Sequence, residues 1–159
     1  MFLRFFCHIC ASFSFCVVFS GCGIIWPTDY AKIRSDATDG FANAQYTLGH
    51  CYQLGINRPS IEQDAAEAAR WYMLAANQGH MEAQYRLGKM YLVGEGVSES
   101  EREAAKWLKK AGFLNHPCAQ YYLGKMYENG VGVLKDEAEA ARWIGKAAEQ
   151  DIRSEHDLW

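Results

Sequence analysis

The chain has 159 residues and a mass of 18.0 kDa, is 50% hydrophobic and 22% charged, and carries a net charge of −3. That is the size of one ordinary domain, with too much apolar and aromatic surface for a disordered chain. Its acidic balance argues against a general nucleic-acid binder, because neutralising phosphates takes a basic excess.

Residues 1–21 stand apart from the rest. Arg4 is their only charged residue, and an apolar run from Phe5 to Phe19 is interrupted only by His8 and two serines. A positive start, a short apolar run and small residues before a cysteine describe an export signal. The run is about 15 residues, short of the roughly 20 that span a bilayer as a helix. Phe19-Ser20-Gly21-Cys22 resembles a bacterial lipobox, with Phe19 where leucine is usual. The resemblance implies cleavage after Gly21, acylation of Cys22 and a lipidated tether over 22–28. Gly23, in place of an aspartate, implies sorting to the outer membrane, facing the periplasm. An ordinary cleaved signal and an uncleaved anchor are the alternatives. Two or three acyl chains, at about 0.8 kcal/mol per buried methylene, would anchor firmly where a single chain holds marginally. On this reading Cys7, Cys10 and Cys16 leave with the signal, so Cys7-His8-Ile9-Cys10 is not a metal or redox motif. Cys51 and Cys118 then remain as thiols.

Further along, the chain repeats itself. Ala44-Gln45-Tyr46-Thr47-Leu48-Gly49 recurs from Ala83 and from Ala119, and each block is followed by a tyrosine: Tyr52, Tyr91 and Tyr127. A second block holds Trp71, Trp107 and Trp143 at a spacing of 36. The first repeat is three residues longer, around Asn57-Arg58-Pro59-Ser60. Self-similarity at this period marks a solenoid of small units that bury their apolar faces by stacking. Ala44, Leu48, Cys51 and Tyr52 share one helical face, as do Ala68, Trp71, Tyr72 and Ala75. Gly94-Glu95-Gly96 and Gly130-Val131-Gly132 supply the tight turns between helices. The pairs Asp64/Glu67, Ser100/Glu103 and Asp136/Glu139 read as capping boxes that open the second helices. Gly49, Gly88 and Gly124 fall mid-helix at a cost near 1 kcal/mol each, so close helix contact is expected there.

These motifs resemble the Sel-one-like repeat family, a relative of the tetratricopeptide repeat. Its pattern, A-x-Y-x-L-G-x-x-Y-x-x-G-x-G-V followed by A-x-x-W-x-x-A-A, is matched well by repeats two and three. Repeat one has Ile56-Asn57-Arg58-Pro59 where the second glycine and valine belong, and repeat two ends Lys109-Lys110-Ala111-Gly112 rather than on paired alanines. The fold implied is all-α: an α/α superhelical solenoid of about three helix-turn-helix repeats, over 40–78, 79–114 and 115–150. Gly40 aligns with Gly79, so residues 29–39 take the place of a second helix and serve as an N-terminal half-repeat cap. Residues 151–159 form a tail that caps repeat three or frays. Leu48, Leu87, Leu123, Trp71, Trp107 and Trp143 are the expected core.

Catalytic and metal chemistry find little support. His80 and His116 are equivalent corner residues, about 10 Å apart at helix-packing distances, whereas zinc needs three or four converging ligands. His116-Pro117-Cys118 lacks a third group to orient a nucleophile pair. No phosphate loop or pair of glycosidase carboxylates can be assigned, so a cell-wall hydrolase is disfavoured. Cys51 is expected in the core and Cys118 nearer the surface, about 20 Å apart by the same packing distance, too far for a disulfide. No cofactor, small-molecule substrate or nucleic acid is expected. The alternating charges from Glu99 to Lys110 read as a solvated face that could meet an acidic partner.

Function is therefore expected on a surface. In tetratricopeptide-like solenoids the first helices line the concave face. By that resemblance Tyr46, His50 and Gln53, then Tyr85, Lys89 and Leu92, then Tyr121, Lys125 and Glu128 would contact a protein or peptide partner. Each set follows i, i+4, i+7 and can share one face. Tyrosine is a common interface anchor, but one that recurs in every repeat serves packing as much as recognition. The expectation is a non-enzymatic adaptor or assembly factor of the cell envelope. An immunity protein neutralising a secreted toxin and a surface or virulence host-binding factor are the alternatives.

Overall fold

The computed structural model describes residues 27–55 and 62–150. The expected signal, Cys22, most of its tether, the 57–60 insertion and the 151–159 tail lie outside the described residues. Those described form α1 (Pro27–Thr38), α2 (Ala42–Leu54), α3 (Ala65–Asn77), α4 (Met81–Val93), α5 (Glu101–Phe113), α6 (Pro117–Asn129) and α7 (Glu137–Ala148), with no strand among them. Helices α2–α3, α4–α5 and α6–α7 pair as hairpins that stack in chain order, and α1 lies against α2 as a single leading helix. It begins at Pro27, inside the span expected as tether, at a position where the N–H that proline lacks would have had no intrahelical partner.

Two backbone features fix how one hairpin meets the next. Gly96 and Gly132 have φ of 68° and 65°, and a Cβ on either would run into the carbonyl of Ala65 or Glu101, the first residue of the preceding second helix. Only glycine fits such a site, because an L side chain is both strained and blocked. Within a hairpin, Gly88 lets α4 close on α5: an added Cβ would sit 2.8 Å from Leu108 Cγ.

The second helices open on Asp64, Ser100 and Asp136, whose side chains accept from the amides of Glu67, Glu103 and Glu139. The reciprocal half of the expected capping box differs. The amides of Asp64, Ser100 and Asp136 donate instead to the carbonyls of Tyr52, Tyr91 and Tyr127, at 2.9–3.0 Å. The turn brings the end of each first helix onto the start of the second, so that donor is already satisfied. Glu67 and Glu103 turn outward to Arg70 and Lys106, while Glu139 takes Arg142 on one oxygen and accepts from Trp143 Nε1 at 3.0 Å on the other.

Leu48, Leu87, Leu123, Trp107 and Trp143 are buried. Trp71 is half-buried, a departure from the expected core ladder, and Tyr72 beside it is fully enclosed. Trp107 packs into the cluster made by α3 and α4, and Trp143 meets Gly112 and the edge of Phe113 on α5.

A glutamine in each repeat adds a polar tie to this apolar stack. The buried Gln45, Gln84 and Gln120 side chains donate to the carbonyls of Ala37, Ala76 and Gly112, at 3.0–3.2 Å. Each accepting carbonyl belongs to the helix before it, so one amide pins each repeat to its predecessor.

Candidate functional site

The first helices α2 and α4 and the start of α6 enclose an open cleft of about 330 Å³. Gln53, Tyr85 and Lys89 line it, three of the nine residues expected at a partner-binding face. Met90 and Val93 form an apolar wall, and Glu82, Arg86, Glu95, His116 and Cys118 complete the lining.

The tyrosine faces are committed to packing. Tyr46 stacks on His80 with ring centroids 4.6 Å apart, and Tyr85 on His116 at 4.3 Å. Burial pushes the phenols of Tyr46 and Tyr85 above their ordinary range. Both histidines cap the first helices: Nδ1 of His80 accepts from the Ala83 amide, and Nδ1 of His116 from the Ala119 amide. With Nδ1 of His116 occupied as an acceptor, Nε2 carries the proton and donates to Glu82, 2.8 Å away. Glu82 also accepts from Nε of Arg86 at 3.1 Å. The His116 hydrogen bond, ahead of Arg86, holds the Glu82 carboxyl below its usual value. His80 has no such acid, since Asn43 stands where Glu82 would be, and burial lowers its pKa.

The other expected residues fall into three places. His50 stacks near Tyr46 at 6.2 Å, and its pKa is lowered by burial. Leu92 packs half-buried against the core around Ala104 and Tyr122. Tyr121, Lys125 and Glu128 sit one repeat further on, outside the cleft lining, with Lys125 paired to Glu128. Of the expected nine, the cleft brings together Gln53, Tyr85 and Lys89. Glu82, Arg86, Glu95, His116 and Cys118 were absent from that set, although Glu82 and Arg86 carry a readable i, i+4 charge pairing. Cys51 is buried, which raises its thiol pKa. Among the described residues, no group of three His, Cys, Asp or Glu could hold a metal ion, and no helix is long and apolar enough to cross a membrane.

Residues 42–80, 82–115 and 119–152 each match the Sel1 repeat model. The chain belongs to the Sel1 repeat family. Sel1 repeats are a protein-interaction module, and solved members share this stack. A Sel1 repeat protein from Oxalobacter formigenes is 39% identical, with a TM-score of 0.71 over 79% of this chain and 92% of its own. The protective antigen c5321 of uropathogenic Escherichia coli is 40% identical with the same TM-score, over 76% of this chain and 25% of its own. An exopolysaccharide production negative regulator of Rhizobium meliloti is 38% identical over 65 residues, 40% of this chain. The match spans 24% of that regulator's length.

Proposed function

We propose that this Sel1 repeat chain is a non-enzymatic adaptor or assembly factor, held to the bacterial envelope by lipid on Cys22, that takes a protein partner in the α2–α4–α6 cleft. The observation that carries the reading is the cleft itself. It joins half-buried hydrogen-bonding groups to an apolar wall on a hydrogen-bonded floor, the arrangement that lowers the cost of ordering an interface. The lipobox-like Phe19-Ser20-Gly21-Cys22 supports the anchor and the outer-membrane, periplasm-facing placement.

The test is a pull-down from the envelope and secreted fractions of the native strain, with full chain as bait beside a Gln53→Ala/Lys89→Glu variant of unchanged melting. A protein retained by the parent and lost by the variant supports the reading. Equal retention moves the partner off the cleft, and empty pull-downs overturn the adaptor. Labelling with radioactive palmitate, lost in Cys22→Ser, tests the anchor. A second reading, exposure at the cell surface toward a host, draws support from the likeness to the uropathogenic protective antigen. Protease shaving of intact cells separates the two: digestion supports surface exposure, and protection supports the periplasm.

A further inference from the structure

Lys89 and Lys125 are equivalent residues of adjacent repeats, and they differ in one respect. Lys125 is paired with Glu128, three residues on. In repeat two that position is Leu92, which packs against the core. Lys89 therefore has no described carboxylate within ion-pair distance. Its Nζ lies 5.8 Å from the ring centroids of both Tyr85 and Tyr122, at the outer edge of cation–π reach, beside the cleft.

Donors and acids both surround it. Gln53 has its carbonyl oxygen occupied by the Tyr72 hydroxyl at 2.9 Å, which leaves its amide N–H groups for a ligand. Arg86 is held by Glu82, and Glu82 by His116, so that acid is already engaged. Glu95, the other carboxylate of the lining, would repel a run of acids. Met90 and Val93 add apolar surface.

From this juxtaposition we infer that the cleft binds a single carboxylate, carried by an otherwise neutral or apolar peptide segment, with Lys89 as its counter-ion and Gln53 as a second donor. The inference rests on the proposed protein-binding role and names the chemistry of the partner. A peptide's C-terminus and an Asp or Glu side chain offer the same group. Each would make with Lys89 the charge-assisted bond that Glu128 makes with Lys125.

The experiment pans the full chain, in detergent micelles, against two random decapeptide libraries, one ending in a free carboxylate and one in an amide. Enrichment of one acid amid neutral residues is expected in the amide library if a side chain is the ligand. Preference for the free-ended library is expected if the terminus is. The affinity of a selected peptide should fall about tenfold in Lys89→Met, which keeps the packing stem, and recover in Lys89→Arg. Leu92→Glu, checked for unchanged melting, should weaken binding by giving Lys89 the internal partner that Lys125 has. Peptides that carry no acid, or that bind Lys89→Met as well as the parent, overturn the carboxylate site while leaving the protein-binding role standing. If neither library yields a binder, the cleft fails as a peptide site and the inference fails with it.

Discussion

Gln78, Leu114 and Gln150 close three successive second helices at one equivalent position. Gln78 donates to the side-chain oxygen of Gln45 at 2.7 Å, and Gln150 to that of Gln120 at 2.9 Å. Leu114 has nothing to donate, and the buried oxygen of Gln84 is left without a described partner. Leu114 is itself 47% exposed, so replacing it sacrifices little apolar burial. Leu114→Gln should therefore add about 1 kcal/mol of stability, seen as a later urea midpoint at unchanged slope. No gain would mean that an ordered water already serves Gln84. The same comparison of equivalent positions exposes Lys89. Difference from the repeat, rather than the repeat itself, marks the residues available for a partner.

At the scale of a helix, caps divide into parts that hold the fold and parts that do not. Asp64 bonds the amides of Ala66 and Glu67 at 2.9 and 3.0 Å, whereas Glu67 makes only an ion pair with the exposed Arg70. Asp64→Ala should cost about 1 kcal/mol and Glu67→Ala well under half of that, compared by thermal melting. Equal losses would contradict the outward role given to the glutamate. The start of α6 carries a different device, because its cap His116 also holds Glu82 on α4. The Glu82 carboxyl is depressed in the folded state, so its stabilisation is full above the unfolded carboxylate value and is lost as pH falls through the lower folded one. The melting advantage of the parent over Glu82→Gln should be present at pH 7 and close toward pH 3. Charging of His50 and His80, whose values are lowered by burial, destabilises both proteins below neutral pH, and the variant somewhat more, because it lacks the Glu82 charge that opposes that lowering.

For the whole molecule, the all-helical solenoid was legible because the sequence states its unit three times. Periodicity located the hairpins, and the mid-helix Gly88 announced a close approach. Trp71 could not be read in that way, since the same motif leaves it half-buried while Trp107 and Trp143 are enclosed. The cleft was legible in part. Tyr85, Lys89 and Gln53 lie on the expected helical faces, but Glu82 and His116 meet across 34 positions of sequence, a pairing no local pattern declares. Along the first-helix stripe the structure also shows what the pattern does not: Leu92 rests half-buried against the core, and Lys125 pairs with Glu128.

The stack is not equally fastened along its length. Both junctions between repeats have a glutamine tie, a tyrosine–histidine stack and a buried tryptophan, but the second adds the His116–Glu82 link. The first has Asn43 in place of the acid. Stretched from its two ends in an optical trap, the chain should yield in steps: the hairpin after α1 peels away at low force, and the last two hold together until a higher one. A tether that pulls from the N-terminal side would thus load the weak seam first, and the cleft, which straddles that seam through Gln53, would open before the rest of the molecule gives way.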